Sequence, residues 1–222
     1  MKDQTFTNKI QISNSDYQYK IIRLYNFDCI FAKNLYKIMP IYNTYIQQIS
    51  YDGTTYKKGS VVDLLSAFKI VCQEFPFKKN PQPKDLPTRD WVGEDGLDVY
   101  IPDKLPMKNY DIEVSFLYKG TEETMRTDLN NFIDFLYGRK KGNNEDTVQS
   151  GRLAIYNEHI GMGRKDIVVS DVENEIFYLS DEDPDAFAKF KIKFMVYDPT
   201  TEVTPAYSTD NGVKRATQLN FD

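Results

Sequence analysis

The chain has 222 residues, a formal charge of −5, 41% apolar and 14% aromatic residues. That apolar content excludes a disordered chain, and the length suits one domain with elaborations or two small ones. The acidic balance excludes a protein that grips nucleic acid by its phosphates, which needs a concentrated basic surface.

Sixteen Tyr and fourteen Phe against one Trp point to strands and contact surfaces, where aromatic side chains fit best. Cys29 and Cys72 are far apart and form no CxxC pair, so both read as buried thiols and not as a disulfide framework. Met1-Lys2-Asp3-Gln4 lacks the apolar run of a signal peptide, and no stretch reaches the ~20 apolar residues of a membrane span. A soluble protein made in a reducing cytoplasm is expected.

In chain order, Thr5 to Ile12 and Tyr17 to Leu24 read as strands around an Asn14-Ser15-Asp16 turn. Asn26 to Met39 mixes apolar and basic residues without a clear period. Ile41 to Tyr51 is rich in β-branched and aromatic residues, and Asp52-Gly53 supplies the positive φ of a hairpin turn. Ser60 is expected to cap a helix whose apolar face runs Val61, Leu64, Leu65, Phe68, Val71, Cys72 and Phe75, stopped by Pro76. Pro76, Pro81, Pro83 and Pro87, interleaved with lysines, predict an extended arm over 76–90. Residues 89–102 read as turn chemistry leading into a short strand.

The most informative stretch is Tyr110 to Leu136. Tyr110, Ile112, Val114, Phe116 and Tyr118 alternate with polar residues as a half-buried strand does. After Gly120, Thr121 caps a helix with Glu122 and Glu123 in its first turn. Met125, Leu129, Phe132, Ile133 and Leu136 form its apolar stripe, and Gly138 follows its end. Residues 139–150 read as a mobile polar loop. Strands follow over 151–156, 166–172 and 176–179, with a turn at 161–164. Ala188, Phe190, Ile192, Phe194 and Val196 alternate with Lys189, Lys191 and Lys193. This lysine face is expected in one sheet with the face carrying Asp111 and Glu113, because opposite charges across strands are mildly favourable. Residues 201–222 read as a polar tail after a single domain over 1–200, itself divided into N-terminal strands and helix (1–75), arm and hairpin (76–105) and core (106–200).

No catalytic, cofactor-binding or metal residue is expected. His159 is the only histidine, which excludes His-rich zinc sites and Cys–His pairs. A calcium loop starting at Asp181 needs Gly sixth and Glu twelfth, and Ala186 and Ile192 stand there. Gly161-Met162-Gly163 lacks the third glycine and helix of a dinucleotide site. No pair of carboxylates is singled out for glycosidic chemistry.

Taken together, several runs resemble phage and prophage tail proteins of gut Bacteroidales, and more broadly the distal tail protein of long-tailed phages. They are Glu74-Phe75-Pro76-Phe77, Lys84-Asp85-Leu86-Pro87, Arg89-Asp90-Trp91, Glu94 to Pro102, Tyr110 to Gly120, Phe132 to Leu136, Leu153 to Tyr156, Gly163-Arg164, and Phe190 to Thr200. The resemblance covers about residues 74–200. It implies a mainly β fold with two α-helices (α+β), a β-sandwich or tail-tube-like domain with a strand-helix-strand unit and extended arms. It also implies a virion protein, no enzyme, that forms a ring, often hexameric, joining the tail tube to the baseplate or tip. Its partners are then copies of itself and other tail proteins, with DNA passing through unbound and no membrane. Six copies at −5 each carry a charge that repels DNA, which suits such a channel if acidic residues face it. Subunit contacts are expected at Pro81, Pro83, Pro87, Trp91 and Tyr100 on the arm, Arg139 and Lys140 on the loop, and Pro199 and Tyr207 beyond the core. Other readings are a tail tube or terminator ring, or a carbohydrate-binding β-sandwich that stacks sugars on tyrosines. A cell-wall hydrolase of the tail tip needs an acid/base or metal constellation, which the sequence does not display.

Overall fold

The computed structural model describes residues 43–72, 75–93, 95–173, 176–180, 183–210 and 213–221. They belong to a unit spanning Tyr42–Asp222. The strands expected before residue 40, and Cys29, lie outside the described residues.

The elements are β1 (Thr44–Tyr51), β2 (Tyr56–Asp63), α1 (Leu64–Phe68), β3 (Ile70–Cys72), β4 (Thr88–Arg89), β5 (Asp98–Val99) and β6 (Tyr110–Thr121). Then come α2 (Glu122–Leu136), β7 (Leu153–Asn157), β8 (Met162–Val172), β9 (Ile176–Ser180), β10 (Asp183–Val196), β11 (Thr204–Asp210) and β12 (Val213–Asn220). The fold is mainly β with two helices, and its strand pairs are antiparallel. The main sheet runs β2-β1-β7-β8-β10-β6-β3, and β9 pairs with the other half of β10. β8 and β9 lie end to end along β10, opposite Ile192–Val196 and Asp183–Lys189 respectively.

Sheet order and connection length together require a curl. Seven strand positions laid flat would place β2 and β3 about 29 Å apart at ~4.8 Å spacing. The chain passes from Asp63 to Ile70 through the five residues of α1 and Lys69, a span of at most about 17 Å. At that end the outer strands of the sheet therefore turn toward each other. The enclosed side is filled by aromatic rings: Phe116 stacks on Phe190 at 5.5 Å, and Phe132 of α2 meets Phe116, Phe190 and Phe68 within about the same range.

The region expected as one helix over 60–75 is strand, short helix and strand. Its apolar residues fit a helical period, but Val61-Val62 and Ile70-Val71-Cys72 are largely β-branched and pair with β1 and β6. Asp63, not Ser60, is the cap, accepting from the Leu65 amide at 3.2 Å and the Ser66 hydroxyl at 2.6 Å. Lys69, with φ +57, ends α1. The Lys69 ammonium then ties this corner to α2, donating to Asp128 at 3.0 Å and Thr124 at 2.9 Å, while the Tyr118 hydroxyl donates to Asp128 at 2.9 Å. Gly120 is required beneath that network, because a Cβ there would stand 2.2 Å from the Tyr118 hydroxyl.

The strand-helix unit at 110–136 is as read from sequence. Thr121 occupies the cap position without a side-chain cap bond, and Phe135 joins Met125, Leu129, Phe132 and Leu136 in the core. Gly138 takes φ +71 just past the end, and a Cβ would meet Gly151 N at 2.3 Å. β6 and β10 pair along their whole length, with Lys193 opposite Glu113. The Lys191 ammonium donates to Glu113 at 2.6 Å, holding that carboxyl below the usual range, and Lys193 reaches Glu173 at 3.1 Å. The expected sharing of one sheet by these charged faces is met.

Two further expectations are corrected. The 139–150 loop is tied down: Asp146 accepts from the Ser60 amide and hydroxyl at 3.0 and 2.6 Å, the Gln48 side chain donates to the carbonyls of Phe135 and Lys140, and Val148 is buried. The Gly59-Ser60 stretch lies at a bulge where β2 slips against β1, so Asp146 supplies a partner that the ladder does not. The residues expected as a tail form the β11–β12 hairpin. Its Ala216 and Leu219, with flanking Val203 and Phe221, pack on Tyr45, Ile49 and Ala154. β1 is consequently buried on both faces, Ile46 toward the aromatic core and Tyr45 toward the hairpin.

Candidate interaction surface

Between Phe75 and Tyr110 the chain leaves the body and returns. The departure is anchored: Phe75 is fully buried against Phe77, Phe116 and Phe194. The Lys78 amide donates to the Tyr110 hydroxyl at 3.2 Å, and the Lys78 ammonium lies 5.1 Å from the Tyr110 ring centroid. Arg164 of β8, only 1% exposed, donates to the Lys78 carbonyl at 3.2 Å and to the Gly163 carbonyl at 3.3 Å. A buried guanidinium needs acceptors, and the first carbonyl of the excursion is one of them.

Beyond this root the two limbs form a thin ribbon. The Lys108 amide donates to the Gln82 carbonyl and the Lys84 amide to the Pro106 carbonyl, both at 2.7 Å. These bonds flank the Pro83–Met107 bridge, so it is a non-hydrogen-bonded pair and Pro83's missing N–H falls where no ladder bond is due. Pro87 and Pro106 instead occupy bonded positions and contribute only their carbonyls, to the Tyr100 and Lys84 amides. Each of those rungs is single where two bonds are normal. Lys108 adds an ion pair to Asp85 at 2.9 Å, and β4 pairs with β5 through Thr88–Val99 and Arg89–Asp98.

The ribbon's side chains distinguish it from the rest of the surface. Large apolar residues standing exposed are Trp91, Val92, Leu97, Val99, Tyr100, Ile101 and Leu105 on the ribbon, against Tyr51, Tyr137 and Tyr197 elsewhere among the described residues. Tyr100 and Ile101 are 70% and 71% exposed. The Arg89 guanidinium lies over the Trp91 ring, 3.8 Å from its centroid, which orients the ring without covering both faces. Exposure of this kind makes the ribbon the candidate interaction surface.

Of the residues expected at contacts, Pro81, Pro83, Pro87, Trp91 and Tyr100 come together on this ribbon. Arg139 and Lys140 stand exposed on a different element and close the end of α2, Arg139 pairing with Asp134 at 3.6 Å and Lys140 donating to Asn131 at 2.9 Å. Pro199 is buried within the chain. Tyr207 turns inward: its hydroxyl donates to Glu158 at 2.9 Å and its ring meets Tyr45 edge-on at 6.3 Å. Burial and the negative charge of Glu158 raise the Tyr207 pKa well above the ordinary phenol value. Tyr207 thus packs within the chain, against the cluster under the hairpin. The sequence reading missed Val92, Leu97, Ile101 and Leu105. The available signal was mirror symmetry: Pro102 and Pro106 repeat the spacing chemistry of Pro83 and Pro87 across a glycine-bearing centre.

Among the described residues no group of three His, Cys, Asp or Glu is placed to hold a metal ion, and no helix is long and apolar enough to cross a membrane. Comparison with known protein families, with curated proteins and with solved structures finds no significant match.

Proposed function

We propose that this chain is a structural protein of a phage tail, which assembles into a ring joining the tail tube to the baseplate or tip and surrounding the DNA channel. The observation that carries the reading is the ribbon: an anchored, proline-stiffened excursion that presents most of the exposed large apolar residues among those described. A monomer gains nothing from that exposure, whereas a protein that works beside copies of itself buries it on assembly. The sequence resemblance over residues 74–200 and the mainly antiparallel β fold support the same reading. The net charge of −5 suits a channel through which DNA must slide. Imaging of the purified chain at high concentration tests this: closed rings with a central opening are expected. A chain that stays monomeric at every concentration, alone and with neighbouring tail proteins, overturns it.

A second reading has one observation in its favour. Trp91 and Tyr100 are exposed aromatic rings, the kind on which sugars stack. Glycan binding by a monomer, lost in Trp91→Ala, would favour a carbohydrate-binding module over a ring.

A further inference from the structure

The ribbon is electrically polarised along its length. Its root, residues 78–88 and 99–108, holds Lys78, Lys79, Lys84, Lys104 and Lys108 against Asp85 and Asp103, a net charge of +3. Its tip, among the described residues 89–93 and 95–98, holds Arg89 against Asp90, Asp95 and Asp98, a net charge of −2. The two ends cannot neutralise each other within one copy. The limbs touch at Gln82–Lys108 and Lys84–Pro106 and again out at Arg89–Asp98, and the five residues from Lys84 to Arg89 span roughly 16 Å when extended. That separation exceeds the screening length of physiological salt, roughly 8 Å. Lys78, Lys79 and Lys84 are exposed at one end, and Asp90, Asp95 and Asp98 at the other. Exposed apolar residues accompany both charges: Trp91 and Leu97 at the tip, Ile101 and Leu105 nearer the root.

We propose that the acidic, aromatic tip of one copy's ribbon seats against the lysine-bearing root of the ribbon in a second copy. The inference rests on the ring reading above for its biological setting, and it names the surface that closes the ring. The contact joins unlike patches, so it is head-to-tail, the class that propagates around a closed ring when the rotation permits. Charge complementarity sets the register and speeds encounter, and burial of the apolar side chains supplies the hold.

The test uses the full chain and two charge-reversed variants. One carries Lys78→Glu, Lys79→Glu and Lys84→Glu; the other carries Asp90→Lys, Asp95→Lys and Asp98→Lys. All six residues are exposed, and an unchanged melting temperature verifies that both variants fold. Analytical ultracentrifugation should show each variant alone assembling at least roughly tenfold more weakly than the unaltered chain, since like charges then face each other. An equimolar mixture should assemble again, because the acidic root of one variant now meets the basic tip of the other. Assembly that is unaffected in either variant overturns the contact and leaves the ring standing. A charge-dependent dimer with no larger species keeps the contact and overturns the ring. A wild-type chain that never associates overturns both.

Discussion

Two two-stranded ribbons of this chain meet opposite fates. The β11–β12 hairpin lies on the body, pairing from Thr204–Asn220 to Asp210–Val213 and burying Ala216 and Leu219. The 82–108 ribbon is held by scattered single rungs and leaves its aromatic and aliphatic side chains in solvent. Composition does not separate them, for the exposed ribbon is the richer in large apolar residues. What separates them is the opposing surface. β1 and β7 offer the hairpin Tyr45, Ile49 and Ala154. The ribbon beyond its root stays exposed, its base held by Phe75 and Arg164. An isolated hairpin is marginal in water; one ribbon has found its cover within the chain, and on the reading proposed above the other finds it on a neighbour.

The largest way to break the comparison removes the platform common to both. Phe132→Ala opens the aromatic core under α2 and should lower stability by about 3–5 kcal/mol, read as a shift of the urea midpoint. Phe221→Ala should come next, at about 3 kcal/mol. That ring is buried between the Lys58 and Lys165 ammoniums, 4.0 and 5.4 Å from its centroid, and meets Tyr56 edge-on at 5.4 Å. Protease cutting within 204–220 should rise while the sheet persists. Tyr207→Phe deletes the hydroxyl that bonds Glu158 and Tyr156 and should lower stability by about 1–2 kcal/mol.

Acid sharpens the contrast further. Asp198 opens the approach to the hairpin. Burial pushes its carboxyl upward, but the Thr201 and Thr200 amides, the Thr201 hydroxyl at 2.7 Å and Lys165 at 3.7 Å together hold it below the usual carboxylate range. A depressed folded pKa means the contribution is full at neutral pH and declines as the pH falls below about 4 toward the folded value. Stability measured against pH should fall on that limb, and less steeply in Asp198→Asn. The smallest effect belongs to the ribbon: Trp91→Ala should change the stability of the monomer by under about 0.5 kcal/mol, while weakening self-association. A large loss of monomer stability would show that the ribbon is part of the body after all.

Much of the central fold was legible in the sequence, because β6, α2 and β10 each keep one period over many residues. The lysine and acid faces even gave their pairing. The 60–75 stretch was not, since its apolar residues satisfy the helical period and the strand pairing that overrides it comes from β1 and β6, remote in the chain. Its break falls at Lys69 in the left-handed region, a conformation that lysine does not advertise. The C-terminal hairpin hid for a different reason: the register slips between Ala206 and Tyr207, which leaves the buried Ala216 and Leu219 three residues apart and breaks the alternation. In the candidate surface, the first proline limb is legible as an extended arm and the second only as a short strand after a turn, because two-residue strands leave little pattern to read.

Both limbs of the ribbon enter the body at neighbouring buried aromatic residues, Phe75 on one side and Tyr110 on the other, the latter opening β6 in the middle of the fold. A pull on the tip is therefore delivered straight to the main core cluster and not to a slack loop. Tension between neighbours would be resisted by the whole aromatic interior, and a grip made at the tip would give way before its mounting did.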